Sequence, residues 1–318
     1  MCLVLLALEV HPEYPLVVAA NRDEFHARPT AKAEFWADAP SLFAGRDLSA
    51  GGTWLGVTRS GRFAAVTNVR APGARTGTRS RGDLTRSYLV GDRDARDAAL
   101  EVIAAGRAAT SAVPPRTMEK SAPDALDSGA VPPRTMEKSA PEALDSGAVP
   151  PRTLEKSAPE ALDSGAVPPR TFNLVVGSVG ALFVTDGVAL TELARGVRGV
   201  SNAAESSLGG SRAWPKVERG EARLAEVLAA PGPIDTAALF EMLADRSRAP
   251  DELLPDTGVG LEAERFLSSA FLVSPLYGTR SSTVLTVDRR GRVTFEERSF
   301  GPDGGGIGVV RETFTVQS

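Results

Sequence analysis

Cys2 is the only cysteine in 318 residues, and it stands directly after Met1. Removal of Met1 puts a thiol nucleophile and a free α-amino group on one residue. The unperturbed amine titrates near ~7.7–8.0 and the thiol near ~8.5, so the amine can act as base for the thiol at neutral pH. That is the minimum equipment of an N-terminal-nucleophile hydrolase. The plainer reading is also on the page. Cys2-Leu3-Val4-Leu5-Leu6 is an apolar opening, and a lone Cys in a buried first strand behaves as a small hydrophobe. Histidine is nearly absent, with only His11 and His26, both close to the N-terminus. A Ser-His-Asp triad would need one of them, and no HxxxH pair offers a metal site. Chemistry with so little histidine fits a nucleophile whose base is its own amine.

The other chemically dense stretch is Asn21-Arg22-Asp23-Glu24-Phe25, which follows an apolar strand read over Leu16–Ala20. Four polar residues there are costly if buried without partners; a solvated loop or a structural ion pair is the ordinary explanation. The first strand is read over Cys2–Val10, with a turn at His11-Pro12-Glu13-Tyr14-Pro15. A hairpin of these two strands brings the start of the first beside the end of the second. Cys2, Arg22 and Asp23 are therefore expected to be close in space. A guanidinium beside the thiol favours thiolate, and a carboxylate can hold the α-amino group and tune its proton affinity.

Composition narrows the functional class. The hydrophobic fraction of 42% is enough for a sizeable core, and a net charge of -4 lacks the basic footprint of a nucleic-acid surface. One cysteine excludes an internal disulfide framework and any CxxC zinc or redox site, which points to a cytoplasmic location. No apolar run reaches the ~18 residues of a membrane span. The opening run has no basic leader and stops early at Glu9, His11 and Pro12, unlike a signal peptide. Oligomeric state is not legible.

The middle of the chain carries a tandem repeat. Val113–Ala130, VPPRTMEKSAPDALDSGA, recurs as Val131–Ala148 with Glu142 in place of Asp124, and again as Val149–Ala166 with Leu154 in place of Met118. A fourth copy breaks off after Val167-Pro168-Pro169-Arg170-Thr171. Each 18-residue unit holds three Pro, one Gly and few large apolar residues, too little to offset its chain entropy. The expectation is a disordered insertion over residues 113–166 in a single domain formed by 1–112 and 167–318.

Periodicity supplies the remaining elements. Thr53–Thr58 and Arg62–Asn68 read as a hairpin about Ser60-Gly61, and Phe172–Val176 and Gly180–Thr185 as another. Asp83–Leu89, Asp94–Ala105, Trp214–Leu228 and Thr236–Ala244 read as helices, the last with Asp235 as N-cap. Ala270–Val273, Ser282–Asp288 and Arg292–Phe300 read as closing strands. Such unequal blocks favour α+β over alternating βαβ units. The Gly301–Gly308 stretch has no GxxxxGK[ST] frame and is not read as a phosphate loop.

Met1-Cys2 followed by Asn21-Arg22-Asp23-Glu24 resembles the NRDE family, whose eukaryotic members are called transport-and-Golgi-organisation proteins. Further stretches match in order along the chain, among them Ala44-Gly45-Arg46-Asp47, Gly51-Gly52-Thr53-Trp54, Val66-Thr67-Asn68, Ser80-Arg81-Gly82, Val200-Ser201-Asn202, Trp214-Pro215-Lys216 and Tyr277-Gly278-Thr279-Arg280-Ser281-Ser282. The chain departs from the pattern at the repeat and at Glu205–Gly210. The family's opening is similar to that of cysteine N-terminal-nucleophile hydrolases, which implies a four-layer αββα sandwich and a set of roles. Cys2 would be the nucleophile, Arg22 would neutralise its thiolate, and Asp23 would bind the α-amino group. Asn68 would donate to the oxyanion, Asn202 would be a second polar orienter, and Arg280 would complete the site. Trp54 and Trp214 are read as core or pocket wall.

The resulting expectation is hydrolysis of a non-peptide, linear amide through a thioester on Cys2, with no cofactor required. The alternative on the same fold is a non-enzymatic haem-binding, haem-trafficking or secretory-organisation protein. Cys2, His11 and His26 are then the axial-ligand candidates.

Overall fold

A computed structural model describes residues 2–69, 79–111, 172–203 and 214–317. The tandem repeat and the Glu205–Gly210 loop lie outside the described residues. Two antiparallel sheets make up most of the molecule. The first has strand order β10-β1-β2-β11-β12-β13. Its members are β1 (Cys2–Leu8), β2 (Leu16–Phe25), β10 (Gly196–Val200), β11 (Tyr277–Val287), β12 (Arg292–Phe300) and β13 (Gly306–Thr315). The second runs in sequence order from β3 (Thr30–Trp36) and β4 (Ala39–Asp47) to β5 (Leu55–Thr58) and β6 (Phe63–Asn68). It ends with β7 (Phe172–Ser178), β8 (Ala181–Thr185) and β9 (Leu190–Glu192). With all pairings antiparallel and the helices grouped in blocks, the class is α+β.

Side-chain alternation along β1 and β2 decides what each face does. Val4, Leu6, Leu8, Leu16, Val18 and Ala20 pack into a cluster shared with Phe43, Val57 and Phe63 of the second sheet. Leu3, Leu5, Val17 and Ala19 point the other way. They pack on α3 (Pro215–Ala229) and α4 (Thr236–Leu243) through Trp214, Val217, Leu224 and Leu239. The outer face of the second sheet is covered by α1 (Arg81–Val90) and α2 (Ala95–Ser111), through Leu84, Leu89, Ala99 and Val102. A short α5 (Leu261–Leu267) follows α4 in the chain. Asp235 caps α4 by accepting from the Ala237 and Ala238 amides, as its position foretells.

Three expectations are corrected. Asn21–Phe25 is the continuation of β2, not a loop after it. Most of its polar groups have partners there, as described below, Arg22 Nη1 being the exception. Ala270–Val273 is not a strand. A short apolar run carries no period of its own, and its polar backbone groups are taken by Asn21, Asp245 and Thr279 instead of a ladder. The Gly-rich tail is partly a strand, since β13 starts at Gly306 and pairs with β12. Strands β3 and β4 escape a pattern reading because Lys32 and Glu34 dilute the first and Pro40 opens the second; both lie at or next to the sheet edge, where Pro and charge are tolerated.

Candidate active site

The β1–β2 register places Cys2 directly opposite Arg22. On the other side of β2, Arg22 stands against Ser281 and Asp23 against Thr279. The ladder slips between Thr279 and Ser281, so Arg280 is the extra residue of a bulge. Alternation then sorts the charged tetrapeptide. Cys2 and Arg22 share the inter-sheet face of Val4 and Ala20, while Asn21 and Asp23 share the helix-covered face of Val17 and Ala19.

Each residue of the tetrapeptide has its own environment. The Asn21 amide nitrogen donates to the Leu243 and Ala270 carbonyls at 2.8 Å each, and its oxygen accepts from Ser282 Oγ at 2.6 Å. Asn21 therefore ties β2 to α4 and β11 and has no chemical task. Asp23 Oδ1 accepts from Thr279 Oγ1 at 2.7 Å, and Thr279 Oγ1 accepts in turn from the Leu272 amide. Glu24 lies 3.7 Å from Arg22 Nη2 and 3.8 Å from Arg28 Nε. Arg22 is only 6% exposed, and its Nη1 has no hydrogen-bond partner among the described residues. An unsatisfied buried donor of this kind is worth about 1–3 kcal/mol of instability.

Burial pushes the Cys2 thiol above its ordinary range; the chain's terminal ammonium and Arg22 pull the other way. In the chain as translated, that ammonium belongs to Met1, and after processing it belongs to Cys2. Burial also raises the proton affinity of Asp23, against the lowering influence of the same ammonium, of Lys216 and of Arg22. Lys216 comes from α3 and is 1% exposed, above the Trp214 ring at 5.6 Å. Trp214 belongs to the core and Trp54 to the cavity wall.

A cavity of about 330 Å³ opens onto this cluster, lined by residues of both sheets and the start of α1. Cys2, Arg22, Asp23, Asn68 and Arg280 all reach it. Asn202 does not line it. Its Nδ2 donates to the Asn68 carbonyl at 2.5 Å and its Oδ1 accepts from Ser201 Oγ, which also donates to the Cys2 carbonyl at 2.9 Å. Asn202 is thus a brace between β6 and β1. Arg280 Nη1 donates to the carbonyls of Phe25, His26 and Arg28, stapling the turn after β2.

The haem-ligand candidates are not brought together. His11 sits in the turn at the far end of β1, roughly 20 Å from Cys2 at ~3.3 Å per residue. It is buried, with Nδ1 accepting from the Glu13 amide. His26 lies beyond the end of β2, and burial with the nearby Arg280 charge lowers its proton affinity. Among the described residues no group of three His, Cys, Asp or Glu side chains could hold a metal ion.

Two contributors have no local sequence signal. Glu297, on β12, is buried in the cavity wall; its Oε1 accepts from the Ala33 amide of β3 at 3.0 Å, linking the two sheets. Burial raises its proton affinity above the ordinary 4.5, against the Ala33 hydrogen bond and Arg22. A raised folded-state value means the native state holds the proton longer than the unfolded chain. Stability from this group is present below 4.5 and falls as pH rises through the folded value. Glu297→Gln is therefore expected to flatten the decline of melting temperature above pH 4.5, measured by thermal unfolding against pH. Equal slopes for both proteins would exclude this role. The second contributor is α1. Ser80 caps it, and Thr53 N donates to the Gly82 carbonyl at 3.3 Å. A Cβ on Gly52 would lie 2.4 Å from the Gly82 carbonyl carbon, so the two glycine motifs meet backbone to backbone and seat the helix start on the cavity.

The chain is 27% identical over 325 residues to the human "Transport and Golgi organization protein 2 homolog", covering 94% of this chain and 93% of that one. The bovine homologue is 26% identical over 321 residues, with the same coverage. Among solved structures, the C2A mutant of the conjugated bile acid hydrolase from Clostridium perfringens covers 100% of this chain and 97% of its own, at 9% identity and a TM-score of 0.45. That likeness is too loose to bear an argument. The model of the family "Transport and Golgi organisation 2" matches residues 1–112 and 141–302, the greater part of the sequence, and the chain belongs to that family.

Proposed function

We propose that this protein is a cysteine N-terminal-nucleophile amidohydrolase on an αββα sandwich, acting on linear, non-peptide amides. The single supporting observation is the register that sets Cys2 against Arg22 at the mouth of a cavity, with Asp23 beside it. After Met1 is removed, the Cys2 amine takes the thiol proton and Sγ attacks the amide carbon. Arg22 offsets the charge on sulfur. Asp23, fixed by Thr279, holds the ammonium that forms. The amine returns the proton to the leaving nitrogen, the C–N bond breaks, and a thioester remains on Sγ. Water adds to the thioester, its proton passing to the same amine, and the acid leaves as the thiol is restored.

Asn68 supplies the amide donor for the tetrahedral oxyanion. It ends β6 at the cavity, and Asn202 steadies its main chain. Loss of one such donor reduces kcat by about 10²–10³. Asn68→Ala is expected in that range, with substrate KM nearly unchanged; a rise in KM with kcat unchanged would mark Asn68 as a binding group only.

Two measurements test the reading. Intact mass of the purified protein is expected to show loss of methionine, leaving Cys2 as the first residue. A thiol electrophile is expected to add once, at Cys2. A retained Met1 blocks the amine and removes the mechanism.

A further inference from the structure

We propose that the substrate of this site carries an anionic group, a carboxylate or a phosphate, seated between the start of α1 and Arg22. The inference rests on the Cys2 reading for which site is used, but its support is charge and not reactivity. The chain as a whole is acidic, at -4, yet seven basic side chains line the cavity against four acidic ones. Asp47 answers Arg28 at 2.7 Å and Asp38 answers Arg46 at 2.9 Å. Arg79 and Arg280 hydrogen-bond to neutral partners, the Ser87 hydroxyl and main-chain carbonyls, and feel Asp83 and Glu24 only through space. Two of the four acids, Asp23 and Glu297, have their proton affinity raised by burial, which weakens the negative side further.

A thiolate or a tetrahedral oxyanion offsets one positive charge, and the surplus is larger than that. Its location is also specific. Ser80, Arg81 and Gly82 bring the N-terminus of a ten-residue helix to the cavity, where the helix dipole favours an anion. The deeply buried Arg22 lines the same cavity, and its Nη1 donor has no partner among the described residues. A fixed guanidinium and a helix start on one cavity suit a planar or tetrahedral oxyanion.

Calorimetric titration with succinate, inorganic phosphate and neutral succinamide at fixed ionic strength tests this. Wild type and Cys2→Ala are titrated in parallel. One of the two anions is expected to bind at least about tenfold more tightly than succinamide in both proteins, and to weaken with added salt. Preference for succinate assigns a carboxylate substrate, and preference for phosphate assigns a phosphate ester. Arg81→Gln is expected to reduce anion affinity about tenfold without changing succinamide; Lys32→Gln, an exposed change on the same cavity, is a second variant should the first not fold. Equal affinity for anion and amide, no anion binding at 50 mM, or full affinity in both variants overturns the inference. Because Cys2→Ala has no nucleophile, failure here leaves the hydrolase reading standing, and failure of hydrolysis leaves anion binding measurable.

Discussion

On the proposed hydrolase reading, Cys2→Ala is expected to abolish amide turnover, by on the order of 10⁶-fold, because it removes a nucleophile that acts with its base as one unit. The fold should survive the change. Cys2 is the first described residue of β1, and its main-chain carbonyl, which accepts from Ser201, is untouched. Amine release from a panel of linear acyl amides, with circular dichroism as the control for folding, separates the outcomes. A folded Cys2→Ala protein with wild-type turnover ends the nucleophile reading. Labelling should follow the same residue. The thiol is held up by burial, so alkylation of Cys2 is expected to accelerate toward higher pH than for an exposed cysteine, unless the processed amine assists it.

The second large effect is on Asp23. Asp23→Asn keeps an oxygen for Thr279 Oγ1 but removes the carboxylate that faces Lys216, Arg22 and the terminal ammonium. Deleting one partner from a buried set of charges leaves the others uncompensated and costs about 3–5 kcal/mol. Urea unfolding at neutral pH is the measurement. The loss should grow as pH falls through the folded value, because burial raises the Asp23 proton affinity, so wild type gains stability on protonation there while Asp23→Asn has nothing to titrate. A variant within about 1 kcal/mol of wild type would show that the carboxylate is not what balances Lys216. Turnover should fall with stability, since the amine loses the group that holds its charged form.

These two residues differ in how they can be read. The pairing of Cys2 with Arg22 is a hairpin contact across twenty residues, and hairpin geometry follows from alternation and a turn. That is why the Cys2, Arg22 and Asp23 cluster was legible, along with the α+β class and most helices. The polar character of Asn21–Phe25 misled in one respect. It reads as a loop, because the partners that make burial affordable lie in α4, in the segment after α5 and in β11, more than 200 residues away.

Arg280 and Asn202 show the same limit at the level of roles. Both arise from motif resemblance as site residues. Arg280 does reach the cavity but spends Nη1 on three carbonyls, and Asn202 bonds the main chain of Asn68 and the Ser201 hydroxyl instead of lining the cavity. A motif marks that a polar side chain matters at a position; whether it faces substrate or backbone depends on what packs beside it. Asn21 is the clearest instance, opening the signature tetrapeptide yet joining β2 to α4, to the segment after α5 and to β11.

The sequence by itself determined the local arrangement of this protein: an apolar strand that starts with its one thiol, a turn, and a return strand that ends in charge. Strand period and chain connectivity suffice for that, because the interacting residues are near in sequence. Only the tertiary structure decided what surrounds the thiol. Packing the second sheet and α1 against the first brings Arg81, Arg79, Asn68 and Glu297 to one cavity, and α3 brings Lys216 beneath Asp23. Those contacts depend on sheet stacking and helix docking across one to nearly three hundred residues. No spacing rule encodes them, since the charge that a buried group experiences is set by neighbours in space and not by neighbours in the chain.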